Sequence, residues 1–107
     1  MKTLTDQTYA AALTVAGGVL RFTAAGCQPC RTLEPLLARA ERQYPAVSFY
    51  SIDANANPQV VERYGINTVP TLLFLKHGRV VHTLLGTVSY RALTAALDWH
   101  FRELHSK

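Results

Sequence analysis

The chain is poor in the residues that would place it in several common classes. Its 107 residues include only two cysteines, one methionine and one tryptophan. Two cysteines cannot build the dense disulfide scaffold of a small secreted domain. Tetrahedral zinc wants four ligands, and no second cysteine pair is present to complete such a site. The four histidines, His77, His82, His100 and His105, are scattered. None has the spacing of a zinc finger, and His100 and His105 read as solvated helix positions. No metal is expected. Long apolar runs are also missing. The stretch from Ala10 to Leu20 is interrupted by Thr14 and Gly17-Gly18, and Lys2 alone makes a weak export signal. No segment approaches the roughly 20 apolar residues of a membrane span. The 11 basic residues give a net charge of +4 but are spread from Lys2 to Lys107. Without a basic stripe and interleaved aromatics, a nucleic-acid surface is not expected. There are no repeats and no linker-like segment.

An apolar content of 49% is enough for one domain over residues 1–107 with a core of its own. Both cysteines lie in one pentapeptide, Gly26-Cys27-Gln28-Pro29-Cys30. The apolar run Val19–Thr23 precedes it and a helical pattern follows from Arg31. Strand, Cys-x-x-Cys, then helix puts the first sulfur at a helix N-terminus, where free N–H groups and the helix dipole favour a thiolate. The second sulfur falls within disulfide reach on the first turn, as a reversible dithiol requires. A structural disulfide, half of a metal site, and an iron–sulfur cluster shared between chains are the alternatives. With no export signal the protein is read as cytoplasmic, where paired thiols are more often catalytic than structural.

Hydrophobic periodicity supplies the frame. Thr5-Asp6 is expected to cap a helix through about Ala16, ended by Gly17-Gly18. Val19–Thr23 reads as a buried strand. Leu33, Leu36, Leu37, Ala40 and Tyr44 recur at helical spacing from Cys27 to Tyr44, with Pro35 expected to kink that helix. Val47–Asp53 is a second core strand. Asn57 is the expected cap and Pro58 the first residue of a short helix that stops at Gly65. Thr71–Leu75 and Val80–Leu85 form a hairpin around His77-Gly78. Ser89 caps a last helix whose stripe is Leu93, Leu97, Phe101 and Leu104. The order is read as β-α-β-α-β-α-β-β-α, with no residues assigned to the leading strand. Alternating helices imply parallel strands, and the hairpin adds an antiparallel edge. The fold class is therefore α/β, a mixed central sheet flanked by helices on both faces.

Four features together resemble the thioredoxin family over nearly the whole chain. They are Phe22-Thr23-Ala24 leading into Cys27-Gln28-Pro29-Cys30, Pro35 five residues after Cys30, Val69-Pro70-Thr71 opening a strand, and Gly78 and Gly86 around the hairpin. The resemblance implies a thioredoxin fold and a protein thiol–disulfide oxidoreductase. Cys27 would attack a substrate disulfide and Cys30 would resolve the mixed disulfide. No cofactor is implied beyond the Cys27–Cys30 disulfide itself. Pro29 would shape the turn between the sulfurs. Pro70 would be cis and face the cysteines, and Val69 would offer its backbone to an extended substrate. Gly26 and Gly86 complete the implied substrate-binding set. The implied partners are disulfide-containing proteins and a flavin-dependent thioredoxin reductase, met by a monomer.

The chain also departs from that family. Gly26 and Thr23 stand where tryptophans are usual, and Gln28 replaces a common glycine between the cysteines. Arg21 takes the position of a usual buried aspartate, and Phe49 that of its lysine partner. A buried guanidinium needs an anion or a route to water. Glu34, one helical turn after Cys30, is the candidate anion; the alternative is an Arg21 that reaches solvent beside an independent surface acid. Gln28, Pro29, Arg21 and Glu34 are thus the expected redox-tuning residues. The altered surface leaves open a dedicated partner of a single client. A thioredoxin-fold interaction module with dispensable cysteines is the third reading.

Overall fold

The computed structural model describes residues 1–105; the side chain of His105, with Ser106 and Lys107, lies outside that description. Five strands, β1 (Lys2–Leu4), β2 (Gly17–Thr23), β3 (Ser48–Asp53), β4 (Thr71–Lys76) and β5 (Arg79–Leu85), form one sheet in the order β1-β3-β2-β4-β5. The helices are α1 (Gln28–Gln43), α2 (Pro58–Tyr64), α3 (Tyr90–His100) and α4 (Arg102–His105), with a five-residue 3-10 helix at Tyr9–Leu13. β1, β3 and β2 run parallel. Antiparallel pairing begins one strand earlier than the hairpin, because β4 already runs against β2.

Period-two alternation sorts the sheet into two faces. Val19, Phe49, Leu72 and Phe74 face Leu33, Leu37 and Ala40 of α1 and Leu93 and Leu97 of α3. Leu20, Phe22, Ile52, Leu73 and Leu75 face Val60 of α2 and Ala12 of the 3-10 helix. The sheet is thus covered on both sides, and β2 at its centre carries the chain directly into α1.

The expected helix over residues 5–16 is not formed. Residues 2–4 pair with β3, and only the short 3-10 helix follows. Gly17 and Gly18, expected to end a helix, begin β2 instead, paired to Lys76 and Leu75. A Cβ on Gly17 would lie 2.5 Å from Leu104 Cδ1 and 3.0 Å from Phe101 Cδ1, so the missing side chain lets the C-terminal segment close on the sheet. The last helix correspondingly breaks at Phe101, whose fully buried ring stacks on Phe74 with centroids 5.7 Å apart. α1 runs uninterrupted past Pro35.

The caps are also exchanged. Asp6 begins no helix; its carboxylate accepts from the N–H groups of Gln59 and Val60 at 3.2 and 2.9 Å, capping α2 from 53 and 54 residues away in the chain. Asn57 holds the N-cap position of α2, but its side chain does not cap. It accepts from the Asp6 N–H at 2.9 Å and donates to the Asp53 carbonyl at 2.8 Å. His100 lies on α3 as expected but is half-buried rather than fully solvated, and the side chain of His105 lies outside the described residues. The His100 ring lies 4.7 Å from that of His82 and 6.1 Å from Phe74, and burial, with His82 and Lys76 beside it, lowers its pKa. Among the described residues, no group of three or more His, Cys, Asp or Glu side chains is placed to hold a metal.

The long-range cap yields a stability test. Asp6→Ala removes both acceptors of α2 and is expected to cost about 1 kcal/mol, the usual worth of a helix cap. Urea unfolding measures it. A midpoint equal to wild type would show that α2 does not depend on Asp6.

Candidate active site

The turn from β2 into α1 places both sulfurs. Gly26 precedes the first cysteine with φ +76°, a backbone conformation that favours glycine, and nothing within 4 Å would contact a Cβ there. Cys27 is the N-cap of α1. Its Sγ accepts from the Cys30 N–H at 3.1 Å, so the sulfur occupies the place of a capping oxygen. Pro29 sits in the first turn, where its lack of an N–H costs no helical hydrogen bond. Cys27 and Cys30 are disulfide-bonded, with Cα atoms 5.3 Å apart. Cys27 is half-buried, whereas Cys30 is only 3% exposed. The two sulfurs therefore differ in access as well as in position along the helix.

Across from them, the Val69–Pro70 peptide is cis, and the Val69 carbonyl oxygen lies 3.9 Å from Cys27 Sγ. Pro70 is buried at the mouth of β4, and its carbonyl accepts from the Gly86 N–H at 2.8 Å. The hydrogen bond ties the end of β5 to the loop that faces the sulfurs. Val69 therefore lies opposite Cys27, Gly86 is joined to Pro70 beside it, and Gly26 adjoins Cys27 in the chain. Gln28 points elsewhere. It is exposed, and its Oε1 accepts from the Arg31 guanidinium at 2.6 Å.

Beneath the disulfide helix lies the expected cation pair. The Arg21 side chain is 8% exposed, and its Nη1 donates to Glu34 Oε1 at 2.6 Å. Glu34 itself is 57% exposed, so the pair reaches from the sheet to the surface along α1. The other side of the guanidinium has a partner that sequence reasoning missed: Arg21 Nε donates to Ser51 Oγ at 3.0 Å. Parallel register puts Ser51 directly beside Arg21. The available signal was a serine between Tyr50 and Ile52, in the buried middle of β3. Phe49, one pleat away on the same face, packs in the core beside α1. It makes the sheet there apolar and leaves Glu34 and Ser51 as the described partners of Arg21.

The arrangement can do dithiol chemistry. One accessible sulfur is set to be stabilised as an anion by a helix N-terminus, with a buried sulfur one turn behind it and a backbone carbonyl in front.

Comparison with known proteins agrees with this geometry. The family model for Thioredoxin matches residues 1–99. Thioredoxin H5 of Oryza sativa subsp. japonica is 37% identical over 68 residues, covering 64% of this chain and 50% of that protein. Thioredoxin 1 of Synechococcus elongatus is 36% identical over 80 residues, covering 74% of this chain and 75% of its own. The chain therefore spans half the length of the rice relative and three quarters of the cyanobacterial one. Among solved structures, a mutant thioredoxin from Halobacterium salinarum NRC-1 superposes with a TM-score of 0.86 over 92% of this chain and 88% of that one. At 23% identity, that likeness concerns the fold.

The unequal access of the sulfurs is directly measurable. In the reduced protein, iodoacetamide should modify Cys27 well before Cys30, because exposure and the helix terminus act together. Peptide mapping by mass spectrometry reads the order. Initial labelling of Cys30 would reverse the assignment of the attacking sulfur.

Proposed function

Because the chain belongs to the thioredoxin family, we propose that it is a protein thiol–disulfide oxidoreductase working through Cys27 and Cys30 as one domain over residues 1–107. The observation that carries this reading is the Cys27 sulfur at the N-cap of α1, facing the Val69 carbonyl. In the reduced protein the Cys27 thiolate attacks one sulfur of a client disulfide. A bond forms between Cys27 and that sulfur, and the other client sulfur leaves as a thiolate that takes up a proton. Cys30 then loses its proton and attacks Cys27 Sγ, which releases the second client thiol and closes the Cys27–Cys30 disulfide. Two electrons pass from the dithiol to the client, with no cofactor beyond the disulfide.

Val69, with Gly26, Pro70 and Gly86 around it, is the surface on which an extended client segment lies, paired through backbone groups. The partners are disulfide-containing proteins and a flavin-dependent thioredoxin reductase that returns the dithiol, and the protein acts as a monomer. No helix among the described residues is long and apolar enough to cross a membrane. We place the protein in the cytoplasm because thiols kept reduced there serve exchange rather than structure. Reduction of insulin disulfides tests the activity: wild type should precipitate the insulin chains and Cys27→Ser should not. Equal activity in the two would leave the cysteines dispensable and the fold an interaction module.

Arg21 and Glu34, with Gln28 and Pro29 in the turn above, set the poise of the couple. A buried cation under α1 favours the thiolate forms, and stabilising the reduced state raises the potential. Glu34 offsets part of that charge through its 2.6 Å contact. Arg21→Asp should therefore lower the potential, and Glu34→Gln should raise it. Each 30 mV measured against a glutathione buffer corresponds to about 1.4 kcal/mol for this two-electron couple. An unchanged or higher potential in Arg21→Asp would show that the guanidinium does not act on the thiols.

A further inference from the structure

Two histidines far apart in the sequence meet at one point of the fold. His82 lies on β5 directly opposite Phe74 of β4, and His100 lies in the last turn of α3. Both are half-buried, and their rings are 4.7 Å apart and inclined by 31°. Each also packs against the Phe74 ring, at 5.5 and 6.1 Å. The charged groups facing the pair are mostly positive. Lys76 of β4 acts on His100 as a like charge, and Arg79 stands opposite Lys76 in the hairpin. From α4, Glu103 accepts from Lys76 Nζ at 2.7 Å, whereas Arg102 lies over the Trp99 ring. On α3 itself, Asp98 accepts from the Tyr44 hydroxyl. The one carboxylate on this side is therefore already engaged by Lys76.

The pair sits where the C-terminal segment closes on the sheet. Phe101 stacks on Phe74, and Leu104 occupies the space that a side chain on Gly17 would need. Neutral imidazoles pack there without cost, but a proton on one ring disfavours a proton on the other. Burial first, then His82 and Lys76, lower the pKa of His100. The dipole at the end of α3 works the other way, but it is shared with water and fades within one turn. Once released, His100 regains its ordinary pKa near 6.5 and binds protons that the closed form resists. Closure is therefore fully stable above about pH 6.5 and weakens as the pH falls through that value. The two sides of the contact are not equally firm. β5 is paired to β4 from Arg79 to Leu85, whereas α4 has four residues and ends the described chain. Repulsion between the rings is relieved at the weaker side.

We propose that His82 and His100 form a proton-operated latch, in which neutral rings keep the C-terminal segment closed and protonation of both releases it from Phe101 onward. Release uncovers the Phe74 ring and the bare backbone of Gly17, an apolar face that the closed segment hides. The latch uses none of the residues around the sulfurs and does not depend on the oxidoreductase reading. Glu103 does not operate it, because the hydrogen bond from Lys76 lowers its pKa and keeps it ionised through the range in which histidines titrate.

Native-state hydrogen exchange of the full chain, read by NMR, tests the latch, with each rate divided by that of the unstructured chain at the same pH. The Phe101 and Leu104 amides donate to the carbonyls of Leu97 and Phe101. Between about pH 7.5 and about pH 5 they should lose about tenfold in protection, the order expected of one like-charge contact. At both pH values they should be less protected than the amides of β3, because the segment opens ahead of the whole molecule. In the double variant His82→Gln/His100→Gln the loss should shrink below about twofold. His77→Gln and His105→Gln, which change the other two histidines, should keep the loss in full. A second measurement needs only one substitution: His100 should titrate below its ordinary value in wild type, and His82→Gln should move that titration upward. Protection that does not change with pH would show that the rings swing apart without moving the segment, and would overturn the latch. So would an undiminished loss in the double variant, a loss abolished by His105→Gln, or a His100 titration that His82→Gln leaves in place. Equal protection of Phe101 and β3 would equally overturn it, since the segment would then open only with the whole fold.

Discussion

The Cys30 N–H donates to Cys27 Sγ at 3.1 Å, and much of the molecule is arranged so that this contact can exist. For a sulfur to replace a capping oxygen, α1 must begin one residue after Cys27 and must be held there. β2 provides the hold by running through the centre of the sheet between β3 and β4. Gly26 turns the chain with φ +76°, and Leu33, Leu37 and Ala40 then lock α1 onto the sheet. A thiolate at that position meets N–H groups and the positive end of the helix dipole, while the neutral thiol gains less from either. Burial of Cys30 by the same helix makes the two sulfurs unequal. Fold and reactivity are therefore consequences of one placement.

The buried cation is the second constraint. Arg21 lies on the face of β2 that α1 covers, so its guanidinium could be accommodated only with partners inside the layer. Ser51 satisfies Nε from the neighbouring strand and Glu34 satisfies Nη1 from the helix. An isolated buried charge costs several kcal/mol, whereas one with a carboxylate at its surface end keeps contact with water through its partner. The pair spans sheet, helix and surface. It joins a buried charge under α1 to a carboxylate that is 57% exposed.

Much of this was legible in the sequence, and the parts that were not share a cause. The β2–α1 junction, the Cys-x-x-Cys turn and the hairpin are local patterns, and each formed close to its expected bounds; of the last stripe, Leu93 and Leu97 lie on α3 while Phe101 and Leu104 fall at and beyond its break. The Arg21–Glu34 pair was also readable, because a buried charge narrows the choice of partner to one helix face. The failures were decided by distant residues. Asp6 looked like a local cap, yet its carboxylate serves Gln59 and Val60 on α2. Gly17 looked like a helix stop, yet it is where Phe101 and Leu104 approach the sheet. Ser51 gained its meaning only through parallel register with Arg21. His82 and His100 appeared unrelated until the fold set them side by side at the Phe74 ring. Local propensity is a weak prior that tertiary contacts override.

The side of the site that a client meets follows from what the chain lacks around its sulfurs. Ala24, Ala25 and Gly26, the residues between β2 and Cys27, carry little side-chain bulk. The opposite wall is the backbone of Val69 before the cis Pro70, tied to Gly86 by a hydrogen bond. A site with one wall of small residues and one of backbone can pair with many sequences through main-chain groups, which carry little sequence information. α2, the helix that leads into the Val69–Pro70 loop, is itself held at its N-terminus by the Asp6 carboxylate, which accepts from the N–H groups of Gln59 and Val60. The segment that departs from its expected helix therefore fixes the element from which the cis-proline wall is reached.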